Sequence, residues 1–271
     1  MNDFLELCKN RRSVRSFDGK LPDSNILDEL KSFASKIANP YGVKVRFVFL
    51  DAKEHDLSSP VLSGDRYYVT AVVDKVEHSD EAFGYSFEKL LMHAHELGLG
   101  TVWIGGTMPR DKFEKASDLA DGEIMPCVSP LGITAGKMSV KEILMRKGVK
   151  ADSRLPFDKL FFTGDFSTPL TEDRAKELGI YKALEAVRLA PSAVNKQPWR
   201  VIADDHKAVF YVKHDKGFST PSYDLQVIDL GIAMYHFEAQ MATEGVTPLL
   251  TRYDHHPQAP SGMDYIATYS Y

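Results

Sequence analysis

Cysteine is scarce in this chain: Cys8 and Cys127 are the only two in 271 residues, in unrelated contexts and without C-x-x-C spacing. That usage suits a reducing compartment, and with no activating cluster beside them both thiols are expected as buried or half-buried packing residues rather than nucleophiles. Positive charge is also short. Thirty-three Lys and Arg against 38 Asp and Glu give −5, so nothing points to nucleic acid, and any cationic site has to be local. Long apolar runs are missing as well. No stretch approaches the roughly 18 residues needed to cross a bilayer. The opening MNDFLELCKNRRS puts its acidic residues before its basic ones and lacks the apolar core of a signal peptide. The expectation is a cytoplasmic protein with no membrane partner. What is present, 44% hydrophobic and 26% charged residues, supports one large or two small cores.

Periodicity predicts an α+β chain. Helices are expected over residues 3–10, from Asp23 or Ser24 along the stripe Ile26, Leu27, Leu30, Phe33, Ala34 and Ile37, and over Phe83–Leu99 with Gly98 as its left-handed cap. Further helices are read over Pro109–Leu119, Val140–Lys147, Leu178–Leu189 and Val227–Thr243, the last closed by Gly245. Strands are read at Val43–Leu50 (alternating), Tyr67–Val73, Met125–Ile133, Arg200–Ala203 and Ala208–Val212. Residues 148–170 read as a connecting segment, and the Pro-, His- and Tyr-rich tail from Tyr253 gives no assignment.

The order then repeats. At a shift of 154, Leu30 meets Leu184, Arg46 meets Arg200 and Val48 meets Ile202; at a shift of 147, Gly84 meets Gly231 and Gly98 meets Gly245. Two tandem repeats are expected, 1–162 and a shorter, diverged 163–271, intertwined as one globular unit. The polar elements do not repeat. The run Arg11-Arg12-Ser13-Val14-Arg15 falls on Asp165-Phe166-Ser167-Thr168-Pro169, and Pro191–Trp199 falls on Ile37–Val45. Losses that complement each other suggest one shared site, with a symmetric second one abandoned.

Three segments carry candidate chemistry. Three guanidinium groups and a hydroxyl within five residues, Arg11, Arg12, Ser13 and Arg15, form either a phosphate clamp or a solvated basic turn. Pro191–Trp199 offers Ser192, Asn195 and Gln197 as neutral donors and acceptors, which suits ligand hydroxyls and a heterocycle edge, or else a stiff Asx-type turn. Gly105-Gly106, at the end of a β-type run, lets backbone N–H groups approach a planar ligand. His93 and His95, two apart on a helix, and the adjacent pair His255-His256 have the wrong spacing for zinc and are expected at the surface or in packing, with Tyr235 and Phe237 in the core.

Together, Arg11–Phe17, Gly98–Gly106 and Pro191–Trp199 resemble the signature segments of FMN-dependent nitroreductases. The resemblance implies that family's fold, here as a fused intramolecular pseudo-dimer with a central, mostly antiparallel sheet flanked by helices. It implies FMN as cofactor and NAD(P)H as electron donor, with a nitroaromatic, quinone or enone as small-molecule acceptor. Arg11, Arg12, Ser13 and Arg15 would then hold the phosphate and ribityl end. Ser192, Asn195 and Gln197 would meet the ribityl and ring edge, Pro191 and Ala193 would pack on the ring, and the backbone N–H of Gly105 or Gly106 would reach flavin N5. Arg154, in Ser153-Arg154-Leu155-Pro156, resembles the family's late phosphate-binding arginine. A flavin supplies the hard chemistry, so no nucleophile or metal is required. The remaining alternatives are a flavin-binding protein without turnover, for storage or sensing, and a duplicated domain that only looks like the family. A monomer or weak homo-oligomer is expected.

Overall fold

The computed structural model describes residues 3–251 and 256–271. The chain divides into two compact units, Arg11–Asp152 and Met1–Asn10 with Ser153–Tyr271. The first helix, α1 (Phe4–Asn10), thus belongs with the second half of the chain. It is bound there by Phe4, edge-on to Tyr235 and His236, and by the Leu5 amide, which donates to Gln240 Oε1 at 2.7 Å. Burying Phe4 alone contributes about 2–3 kcal/mol to that docking.

In the unit Arg11–Asp152, α2 (Ser24–Ala34) starts on Asp23, whose carboxylate accepts the Asn25 amide at 2.8 Å. The helix stops at Ala34, short of Ile37. Asn39 then organises a turn, donating to Val43 O at 2.7 Å and accepting from the Tyr41 amide, and leads into β1 (Val45–Asp51). Antiparallel β2 (Tyr67–Asp74) is buried on both faces. Lying at the sheet edge, β1 is half-buried on both faces and lacks the expected alternation. Next comes α3 (Ser79–Glu96), with Gly98 left-handed at φ +85° as the cap, followed by α4 (Arg110–Ala116). One strand was expected over Met125–Ile133. Two are found, β3 (Glu123–Ile124) and β4 (Val128–Pro130), both on β2, with Pro126 and its missing N–H in the gap. α5 (Val140–Gly148) closes the unit.

The other unit holds a second sheet, so the single central sheet expected from the sequence is two, one per unit. Its elements are β5 (Phe161–Thr163), β6 (Asp165–Pro169), α6 (Glu172–Glu177), α7 (Tyr181–Leu189), β7 (Trp199–Asp204), β8 (Lys207–Lys213), α8 (Leu225–Thr243), β9 (Leu249–Thr251) and β10 (Met263–Ser270). The strand order is β6-β5-β7-β8-β10-β9, antiparallel except for the β5–β7 pair. Residues 148–170, read as a connector, contain two strands. The helix read over Leu178–Leu189 begins only at Tyr181, because Leu178 caps α6 and Gly179 follows at φ +71°. In the tail, Arg252–His255, with Tyr253 and His255 among them, lie outside the described residues. Both units run helix, antiparallel strand pair, long helix and left-handed glycine, as α2-β1-β2-α3-Gly98 and α7-β7-β8-α8-Gly245. Cys8 and Cys127 are buried and not paired with each other, and Phe237 is in the core against Phe210 and Tyr269. Among the described residues no helix is long and apolar enough to cross a membrane.

Candidate functional site

The basic run after α1 is neither a turn nor fully solvated. It is extended and pinned on three sides: the Val14 amide donates to Thr101 O at 2.9 Å, the Phe17 amide to Ser63 O at 2.8 Å, and Ala135 N to Ser16 O at 2.9 Å. Val14 and Phe17 enter the core beside Leu50, Tyr68 and Val102, and this burial fixes where the intervening arginines point. Glycines allow the close approach. A Cβ on Gly100 would stand 2.9 Å from Val14 Cγ1, and one on Gly132 would stand 2.9 Å from the Phe17 ring.

Around this segment the charge is one-sided. Arg12 Nη1 donates to Glu142 Oε1 at 2.5 Å, Arg146 pairs with the exposed Asp152, and Arg15 is half-buried beside them. Burial pulls the Arg15 guanidinium below its ordinary range; Glu142 opposes that shift and Arg146 adds to it. Arg15 Nε and Nη1 are buried and have no hydrogen-bond partner among the described residues, and neither has Arg11 Nε. Each such donor costs about 1–3 kcal/mol while unsatisfied. Glu142 and Arg146, one turn apart on α5, were missed in the sequence. The signal was available in Ser139-x-x-Glu142, a capping-box spacing, and Ser139 Oγ does accept the Glu142 amide at 3.1 Å.

In the same unit, Gly100 to Ile104 runs extended against Gly132, Ser13 and Val128. Trp103 is oriented by its Nε1 donating to the buried Glu88 at 2.7 Å. At the bend, Arg110 holds the Gly105 carbonyl at 3.0 Å and the Met125 carbonyl at 2.7 Å. Gly106 is exposed, with open space where a Cβ would stand.

Arg154 and the Pro191–Trp199 turn lie together in the other unit. Arg154 Nη1 donates to Asn195 Oδ1 at 3.4 Å and Nη2 to Leu189 O at 3.2 Å. The turn is left-handed at three residues that are not glycine: Val194 at φ +43°, Asn195 at +59° and Gln197 at +51°. Its own side chains impose this. Ser192 Oγ accepts the Gln197 amide at 2.8 Å, and Gln197 Oε1 accepts the Leu155 amide at 2.8 Å while its Nε2 donates to Asn195 O at 3.1 Å. Two further residues brace it. Asp229, buried in α8, takes the Ala193 amide on both oxygens at 3.1 Å, and Arg200 donates to Gln197 O at 3.0 Å. Burial lowers the Arg200 guanidinium, with Asp215 opposing the shift. Asp229 could have been suspected as a carboxylate set inside the apolar first half of α8.

Strain of this kind gives a measurable expectation. Val194 is 57% exposed, so its side chain contributes little packing, and a β-branched residue in the left-handed region costs about 1–2 kcal/mol. Val194→Gly should therefore raise stability by up to about 1 kcal/mol after the unfolded-state entropy of glycine is subtracted. Thermal denaturation checks this, and a lowered midpoint would mean that the valine is held by packing.

The family model described as "Putative TM nitroreductase" matches residues 3–241. A crystal structure described as a putative nitroreductase from Thermotoga maritima superposes with a TM-score of 0.63 at 17% identity, covering 98% of this chain and 92% of that one. A nitroreductase family protein from Clostridium difficile 630 aligns at 19% identity and a TM-score of 0.46, over 59% of this chain and 96% of its own. An FMN-dependent nitroreductase from Clostridium difficile R20291 aligns at 20% and 0.42, over 52% and 94%. No curated protein matches. The Thermotoga maritima structure shows the α+β fold that the three sequence segments implied, and the family match runs from α1 nearly to the end of α8. The chain belongs to the nitroreductase family described by that model, a family of oxidoreductases.

Proposed function

We propose that this chain is an FMN-dependent oxidoreductase that moves electrons from NAD(P)H to a small organic acceptor such as a nitroaromatic, quinone or enone. The observation that carries the reading is Arg15, a half-buried guanidinium with two buried donors that have no acceptor among the described residues, near Arg146 and the buried Glu142 and in one run with Arg11 and Arg12. A phosphate monoester supplies such acceptors and matches the surplus charge. Arg11, Arg12, Ser13 and Arg15 are assigned to the phosphate and ribityl end. Gly105 and Gly106 are assigned to the ring, where the open side of Gly106 admits a planar group to the backbone. Arg154, Pro191, Ser192, Ala193, Asn195 and Gln197, in the other unit, are assigned to flavin binding. Since the turn's own bonds occupy Ser192 and Gln197, and Asn195 is engaged by Arg154 and by Ser153 O, its contribution falls chiefly to backbone and the Pro191–Ala193 surface. When bound, FMN supplies reversible electron transfer; the chain binds it, orients it and shapes the slot for donor and acceptor.

Absorbance of the purified protein tests this. A bound-flavin spectrum is expected, bleached under anaerobic conditions by NADH or NADPH. Colourless protein that takes up no added FMN overturns the reading, and a flavin that neither nucleotide reduces would indicate storage or sensing. One FMN per chain is expected, and a value near two refutes the loss of a second site.

A further inference from the structure

The assignment of the arginines to phosphate leaves Glu142 unused. Its side chain is fully buried, and while Oε1 takes Arg12 at 2.5 Å, Oε2 is buried with no hydrogen-bond partner among the described residues. Arg15 is close enough for Glu142 to oppose the lowering of its pKa, yet Arg15 Nε and Nη1 make no bond to that oxygen. The unmet demand therefore has two signs: acceptors are wanted at Arg15 and Arg11, and a donor is wanted at Glu142. A bare phosphate dianion meets only the first and is repelled by the carboxylate. A phosphate monoester bearing a hydroxyl on a nearby carbon meets both, because the phosphate accepts from the guanidinium groups while the hydroxyl donates to Oε2.

We propose that Glu142 is a ligand-binding residue of this cationic cluster, accepting a hydroxyl of a polyol phosphate whose phosphate is held by Arg11 and Arg15. Resting on the FMN reading, that hydroxyl is one from the ribityl chain. Glu142 is then also a selectivity element, admitting hydroxylated phosphate esters and disfavouring bare anions.

The test is calorimetric titration of the flavin-free full chain with inorganic phosphate, pentyl phosphate, ribitol 5-phosphate and FMN, in the natural protein and in Glu142→Gln. In the natural protein, pentyl phosphate should bind about tenfold more weakly than ribitol 5-phosphate, the loss expected for one hydrogen bond to a charged group. This arm needs no variant to fold. In Glu142→Gln, ribitol 5-phosphate and FMN should weaken by about tenfold, while inorganic phosphate tightens as the repelling charge disappears. Opposite signs are the diagnostic. If all three tighten, Glu142 is only a competing counter-ion and the proposal is overturned; it is overturned equally if both esters bind alike in the natural protein. Ribitol 5-phosphate binding that depends on Glu142, without any FMN binding, would sink the flavin reading and leave this one standing. FMN binding that is indifferent to Glu142→Gln does the reverse.

Discussion

Arg15→Glu is expected to yield a folded but colourless protein, with FMN affinity lowered by at least about a hundredfold. The substitution removes the only two donors of Arg15 that are buried and unsatisfied, and it places a second carboxylate near Glu142, where an anion would have to enter. The fold should survive, because the neighbours Val14 and Ser16 anchor this segment through core packing and backbone bonds that do not involve the Arg15 side chain. Arg15→Met separates function from stability. It keeps the volume and should also lose the flavin, yet the flavin-free protein should melt a few degrees higher, because buried donors that nothing satisfies are gone. FMN content and thermal midpoints of both variants are the measurements. Undiminished FMN in Arg15→Glu would remove Arg15 from the site, and a sharp fall in the flavin-free midpoint of Arg15→Met would make it a structural residue.

How much of this the sequence disclosed depended on how local the signal was. The long helices and their glycine ends were legible because apolar spacing and a left-handed cap are local events: Gly98 and Gly245 stand at φ +85° and +79° as read. β5 spans only three residues and β6 is almost wholly exposed, so neither shows alternation. β10 hides behind a bulge between Tyr265 and Ala267, which puts Ile266 through Tyr269 in consecutive buried positions and erases the period of two. The site divides in the same way. The clustering of Arg11, Arg12 and Arg15 was readable, but the carboxylate that pairs with Arg12 lies 130 residues away, beyond any local pattern. The turn at Ser192–Gln197 reads either as a set of ligand donors and acceptors or as a stiff Asx-type turn. Its left-handed backbone was invisible because no glycine announces it, and the side chains taken for ligand contacts are largely those that hold the backbone in that shape.

In the unit Arg11–Asp152 a glycine is indispensable and no motif marks it. Gly64 sits at φ +74°, directly after Ser63, which exchanges backbone bonds with the Arg15–Phe17 segment. A Cβ there would fall 2.3 Å from the Phe17 carbonyl oxygen and 3.0 Å from its carbon, backbone atoms that no side-chain rotation can clear. Gly64→Ala therefore faces both the left-handed cost of about 1 kcal/mol and a displacement of the arginine-bearing strand, and is expected to lose at least about 3 kcal/mol in total. At a few degrees per kcal/mol, the thermal midpoint should fall by roughly 6–12 °C. Gly19→Ala is the matched control. Gly19 has φ +81° but nothing within 4 Å of its would-be Cβ, so only the conformational cost of about 1 kcal/mol applies. Because the strand that moves in Gly64→Ala also carries Arg15, FMN retention should fall in that variant and hold in Gly19→Ala. Equal destabilisation by the two substitutions would show that the close approach of Gly64 to Phe17 does not position the arginine strand.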